Sequence, residues 1–175
     1  MNMKIIDVAG LKKSGKTTVI ENLVSELSKR GYKVGTVKKI HISGFTIDKR
    51  GKDTYRHKNA GANFVISLAP DEIAMIKDVH GHRELNEILD LIPKDTDFLI
   101  CEELNENRDD ILYIITVKSL ADLEETLRLR AVGNKVIAIA GLVANTESFH
   151  DKYPIINTTK EEGINKLVEL ILTEN

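Results

Sequence analysis

The stretch Gly10-Leu11-Lys12-Lys13-Ser14-Gly15-Lys16-Thr17 constrains this chain more than any other, because its G-x-x-x-x-G-K-[ST] spacing works only as a turn between a strand and a helix. Both flanks are present. Met3 to Ala9 reads as a short, mostly apolar strand, and from Lys16 to Arg30 the residues Val19, Ile20, Leu23, Val24 and Leu27 recur at helical spacing. Lys29-Arg30-Gly31 adds a basic last turn and a glycine stop. In such a turn the backbone N–H groups converge with the positive end of the helix dipole on an anion. Lys16 then reaches the outer phosphates of a nucleoside triphosphate, and the Thr17 hydroxyl takes one place around Mg²⁺. The phosphate site is therefore expected to comprise Gly10, Lys13, Ser14, Gly15, Lys16, Thr17 and Thr18.

Beyond the turn, Lys33 to Ile40 reads as a second strand, His41 to Lys52 as a loop, and Asp53 to Ala60 as a short helix stopped at Gly61. Asn63 to Ala69 and Glu72 to Val79 read as a hairpin around Pro70-Asp71, which breaks a strict β-α alternation. A helix is expected over Arg83 to Leu91, ahead of Pro93. Strands follow at Phe98 to Cys101, Ile111 to Val117 and Val136 to Ala140, with helices at Ala121 to Leu129 and Glu161 to Leu172. The expected fold is α/β of the P-loop NTPase type: a largely parallel, doubly wound sheet with helices on both faces and some antiparallel additions. With no repeat and no long linker, residues 1–175 are expected to form a single nucleotide-binding domain.

Composition narrows the partners. A net charge of −2 and the lack of a long basic run argue against nucleic acid. The single cysteine, Cys101, excludes an intramolecular disulfide and a C-x-x-C metal or redox site, and its apolar neighbours make it a small buried hydrophobe. No apolar run approaches the roughly 20 residues that cross a bilayer, and the first strand begins without a leader, so a cytoplasmic protein free of membrane is expected.

In an open parallel sheet the ligand lies beyond the carboxyl ends of the strands. Asp97 precedes Phe98-Leu99-Ile100-Cys101 and Glu102 follows it, so the two lie roughly 16 Å apart along the strand. Glu102 is thus expected to hold magnesium or orient water, and Asp97 to brace a turn. The loop at Ile47 to Asp53 also follows a strand. Asp48 is a candidate for a second magnesium contact and Lys52, with Arg56, for phosphate, while a solvated loop with Asp53 capping a helix is the plainer alternative. His80-Gly81-His82 lacks partner cysteines or a nearby carboxylate pair and reads as structural or solvent-facing.

These residues resemble a known family. The Gly10 to Thr17 loop, Gly31-Tyr32-Lys33-Val34-Gly35 running into Val37-Lys38, and Ile47-Asp48-Lys49 with Gly51-Lys52-Asp53-Thr54-Tyr55-Arg56-His57 and Ala60-Gly61-Ala62 are similar to the molybdopterin-guanine dinucleotide biosynthesis protein B family. The resemblance implies a homodimer that binds GTP with Mg²⁺, hydrolyses it slowly, and assists the molybdenum-cofactor guanylyltransferase that attaches GMP to molybdopterin. It implies that Asp48 and Glu102 are the family's acidic positions, with Lys16 and Glu102 serving the reaction and Thr17, Asp48 and Glu102 the metal. The chain departs from the family at three places. Lys13 stands where a small residue is usual, Glu103-Leu104-Asn105 replaces Gly-Phe-Lys after the strand-end glutamate, and Gly141-Leu142 replaces a Ser-Asp pair able to read guanine. The choice between GTP and ATP therefore stays open, as do a P-loop small-molecule kinase and a nucleotide-binding adaptor without significant hydrolysis. A nickel-delivering GTPase fits less well, for lack of a cysteine–histidine cluster.

Overall fold

The computed structural model describes residues 3–79, 84–130 and 132–174. Contacts gather the chain into two compact units, one running up to Lys39 and resuming at Glu84, the other spanning Ile40–Arg83.

The first unit is built on a five-stranded, all-parallel sheet. Strand β1 (Lys4–Gly10) lies in its centre, in the order β2-β5-β1-β6-β7, with β2 at Val34–Lys38, β5 at Phe98–Glu102, β6 at Ile111–Thr116 and β7 at Val136–Ala140. The inner strands are almost continuously apolar because both faces of a parallel sheet are covered. On one face Ile6, Val8, Ile100 and Ile114 pack under helix α1 (Lys16–Lys29), through Val19, Leu23 and Leu27, and under the C-terminal helix. On the other, Ile5, Leu99, Ile111, Tyr113 and Ile115 pack with Leu85, Leu104, Leu123 and Val143. The parallel register sets Val8 opposite Glu102 and Gly10 opposite Thr116, so the ends of β1, β5 and β6 meet at one edge.

The second unit holds α2 (Asp53–Asn59) and the antiparallel hairpin β3 (Phe64–Leu68) and β4 (Ile73–Lys77), closed by the Ala69 N–H on the Glu72 carbonyl. The antiparallel strands expected around Pro70-Asp71 form, as a sheet of their own rather than an addition to the parallel one.

One helix expected from the sequence does not form. In place of Arg83 to Leu91 there are two 3₁₀ turns, Leu85–Glu87 and Leu89–Leu91. Glu84 and Glu87 close a capping box at the start, but the chain then closes i→i+3 bonds, from Ile88 N–H to the Leu85 carbonyl at 3.0 Å and from Ile92 N–H to the Leu89 carbonyl at 3.1 Å, and Ile92 is already extended ahead of Pro93. The expected Ala121 to Leu129 helix begins with a 3₁₀ turn at Leu120–Asp122 before α3 (Leu123–Leu129). The last helix, α4, runs Glu161–Thr173. Arg83 and His80-Gly81-His82 lie outside the described residues.

Candidate phosphate-binding site

The loop that leaves β1 has its conformation set by close packing at both ends. A Cβ on Gly10 would stand 2.1 Å from Thr116 Oγ1, so only glycine lets β1 and β6 pair to their ends. The Thr116 hydroxyl donates to the Ala9 carbonyl at 3.3 Å, which makes Ser14 Oγ the donor in its 2.7 Å bond to Thr116 Oγ1. Gly15 precedes α1 with φ 99°, a left-handed conformation that glycine takes without strain, and Val19 N–H bonds its carbonyl at 3.1 Å. From the end of β7, the Leu142 N–H donates to the Ser14 carbonyl at 3.0 Å. Three strand ends thus brace one turn.

Above this turn lies a cavity of about 550 Å³, within the range of small-molecule sites. Residues 12–18 line it, so Lys13, Ser14, Gly15, Lys16, Thr17 and Thr18 share one wall. Glu102, Glu103, Lys38, Lys39, Arg130 and Leu142 complete it. Gly10 contributes its carbonyl, which accepts from Lys16 Nζ at 3.1 Å and from Arg130 Nε at 3.0 Å. Lys16 Nζ also donates to the Leu11 carbonyl at 2.8 Å and pairs with Glu103 Oε1 at 2.8 Å. Glu102 meets Lys38 Nζ through both carboxylate oxygens, at 3.0 and 3.1 Å.

The other expected site residues fall in the second unit. Asp48 Oδ1 accepts from the Lys49 N–H at 2.8 Å and from the Thr54 hydroxyl at 2.9 Å, bracing the turn into α2, and Lys52 is the residue that precedes that helix. Asp97 braces a turn as expected, its carboxylate accepting the Lys33 N–H at 2.8 Å.

Several residues of the site were not assigned a role in it from sequence, Glu103 standing there only as a departure from the family. Lys38 ends β2 and Lys39 follows it, and the strand-end rule that found Glu102 applies to them equally. Glu103 is one residue past the strand, in a left-handed conformation (φ 59°) that returns its side chain to Lys16. Arg130 follows α3, and only the tertiary fold brings it to Gly10. Asp7 is a charge inside an apolar strand, which is itself a signal. It is fully buried, Oδ1 accepts the Leu104 N–H at 3.2 Å, and Oδ2 has no hydrogen-bond partner. Burial, reinforced by Glu103 and Glu106, pushes its pKa up to about 7 despite that hydrogen bond. Burial likewise pushes the Cys101 thiol up, away from thiolate chemistry.

Among the described residues, no three His, Cys, Asp or Glu side chains gather to hold a metal. Mg²⁺ does not require such a cage, since it keeps waters and shares phosphate oxygens with one or two protein ligands. Thr17 and Glu102 are hard oxygen donors on the same cavity and fit that pattern. Nor, among the described residues, is any helix long and apolar enough to cross a membrane.

Residues 5–142 match the family described as molybdopterin guanine dinucleotide synthesis protein B. The chain belongs to this family. Over 68 residues it is 43% identical to the molybdopterin-guanine dinucleotide biosynthesis adapter protein of Haemophilus influenzae, a match covering 39% of this chain and 37% of that protein. Over 105 residues it is 33% identical to a putative adapter protein of the same description from Methanocaldococcus jannaschii, covering 59% of this chain and 42% of that one. The matches thus span less than half the length of these curated relatives. The crystal structure of Bacillus subtilis MobB covers 98% of this chain and all of its own at a TM-score of 0.76 and 22% identity, and shows the fold. A MobB homologue from Bacillus stearothermophilus superposes with a TM-score of 0.70 at 22% identity. Family membership and the parallel sheet agree on a P-loop architecture, as the motif at Gly10 to Thr17 leads one to expect.

Proposed function

We propose that this chain binds GTP with Mg²⁺ on the Gly10 to Thr18 cradle, hydrolyses it slowly, and acts as a cytoplasmic accessory protein in forming molybdopterin guanine dinucleotide. The observation that carries the reading is the cavity wall itself, where a P-loop lysine, two threonine hydroxyls and the strand-end Glu102 face one polyphosphate-sized space. The names of the relatives, adapter proteins of molybdopterin-guanine dinucleotide biosynthesis, supply the pathway. The partners are then the guanylyltransferase, molybdopterin, or both.

In this scheme Lys16 holds the outer phosphates and offsets charge as a terminal phosphoryl group departs to water, and Ser14 and Gly15 fix the turn that presents backbone N–H groups. Thr17 and Glu102 would hold Mg²⁺, which when bound would further neutralise phosphate charge. Glu102 also orients water. Leu142 lines the cavity and supplies no carboxylate for guanine, so GTP is favoured by the family's product rather than by a base contact. One observation favours a second reading, a small-molecule kinase: Arg130 reaches the cradle, where kinases place arginines around the transferred group. Self-association as a homodimer is supported by the apolar face of the β3–β4 hairpin, where Leu68 and Ile73 are opposite in register and 80% and 71% exposed.

Titration with fluorescent GTP and ATP analogues in Mg²⁺, following phosphate release from the same samples, tests the reading. GTP binding that Lys16→Ala weakens by about a hundredfold, on the scale of a lost charge-assisted contact, with slow phosphate release, is the expected result. Preferential ATP binding with transfer to a cofactor precursor would establish the kinase, and binding without turnover the adaptor.

A further inference from the structure

The cation that should meet phosphate is already fully engaged. A lysine ammonium has three donors, and those of Lys16 are taken by the Gly10 carbonyl at 3.1 Å, the Leu11 carbonyl at 2.8 Å and Glu103 Oε1 at 2.8 Å. The same carboxylate oxygen lies 3.5 Å from the guanidinium of Arg130, whose Nε donates to Gly10. One oxygen therefore faces two of the cradle's cations. A carboxylate oxygen and a phosphate oxygen accept the same bonds from the same donors.

This placement is built into the backbone. Glu103 takes φ 59°, a conformation that residues other than glycine rarely adopt, so the surrounding structure must enforce it, and Asn105, a residue that enters this region more readily, follows at φ 53°. The enforcing contacts are present. The Glu103 N–H reaches the Val8 carbonyl at 3.4 Å, the Leu104 N–H is held by Asp7, the Leu104 carbonyl by Lys39 Nζ at 2.7 Å, and the Leu104 side chain is buried. The turn is pinned at Glu103 and Leu104, while the Glu103 side chain, one-fifth exposed, lies on the wall of the cavity.

We infer that Glu103 is an internal competitor for the phosphate cradle: its carboxylate occupies Lys16 and Arg130 in the empty protein, and nucleotide enters by displacing it, so that Glu103 sets the affinity. The inference rests on the nucleotide reading above and extends it to a residue outside the motif. It also accounts for the cavity's surplus of cations, since Lys12 and Lys13 line the same wall and remain to receive a triphosphate once Glu103 has turned away.

Two measurements on the full chain test it. The first is affinity for fluorescent GTP and ATP analogues in wild type, Glu103→Gln and Glu103→Asp. The neutral variant should bind about tenfold tighter, the low end of a charge-assisted contact because its amide oxygen can still accept from Lys16, and the shortened acid should lie between. The second needs no nucleotide. Acylation of Lys16 by an amine-reactive ester, quantified by peptide mass spectrometry, should proceed several-fold faster in Glu103→Gln, because the ammonium loses its partner. Equal affinity in all three proteins overturns the competitor and leaves nucleotide binding standing. Weaker binding by Glu103→Gln also overturns it, making Glu103 a nucleotide ligand. No binding by any of them overturns both readings, and unchanged Lys16 acylation overturns the contact itself.

Discussion

Asp7 sits where an apolar residue is expected, and its cost is legible in its titration. Burial and the neighbouring Glu103 and Glu106 raise its pKa from 3.8 to about 7, so the folded protein holds a proton there that the unfolded chain releases near pH 4. The other groups facing it are Cys101 on β5 and the phenol of Tyr113 on β6, both themselves raised by burial, and no cation is among its hydrogen-bond partners. The sign follows from linkage: a raised folded pKa gives stability that is complete below about pH 4 and declines as pH rises to about 7, with an upper bound of about 4 kcal/mol for a shift of this size. Asp7→Asn keeps an acceptor for the Leu104 N–H and removes the titration. Urea melts of the two proteins between pH 4 and 8 should therefore diverge with rising pH, the wild type losing stability relative to Asp7→Asn up to about pH 7 and running parallel above it. Parallel curves throughout would show that Asp7 is solvated or paired in solution. A charge within a strand pattern announces that something unusual stands there. Its consequence was not legible, because it depends first on how deeply the assembled sheet buries it and then on Glu103 and Glu106 folding back from far along the chain.

Among the elements, α1 shows what local sequence can specify. Its apolar period, glycine start and basic end are all written within residues 15–30, and Val19, Leu23 and Leu27 are the residues that become fully buried. Leu23 is fully buried in the cluster that joins α1 to the sheet and α4, so Leu23→Ala removes apolar contact that its neighbours cannot refill and should cost about 2–5 kcal/mol in urea unfolding. Arg30 also ties α1 to α4, through Glu169 at 2.6 Å and Asn165 at 2.6 Å, but at the surface. Arg30→Ala should lose far less, since exposed ion pairs give up in solvation and side-chain entropy most of what they gain. Comparable losses in the two variants would mean that polar ties, rather than burial, hold α1 in place. The stretch from Glu84 to Ile92 shows the opposite case. Leu85, Ile88, Leu89 and Ile92 have helical spacing, yet only Leu85 is fully buried, so packing does not reward the whole stripe and the span stays in 3₁₀ turns ahead of Pro93.

At the scale of the whole molecule, the parallel sheet was legible because its strands are short apolar runs in a β-α order that allows few arrangements, and the phosphate loop because its spacing has one mechanical meaning. The closure of the site was not. Thr116, Arg130 and Leu142 reach the loop only once β6, α3 and β7 are assembled, and although Leu142 stands out as a departure from the family, no local pattern brings any of the three to the loop. The β3–β4 hairpin poses the remaining question of assembly. Its register sets Ile66 opposite Met75 and Leu68 opposite Ile73 on one face, all of them exposed, whereas Val65 on the other face is buried. A two-stranded hairpin is marginal in water unless an apolar face is covered, and a second copy of the chain, presenting the same face, is the cover a homodimer supplies. Replacing Ile66 by Glu together with Met75 by Lys retains an attractive cross-strand pair, and hence the hairpin, while removing the apolar match between copies. In sedimentation velocity the wild type should run at twice the mass of the chain and the double variant at the mass of one. A monomeric wild type would rule out the dimer, and a dimeric double variant would place the interface elsewhere.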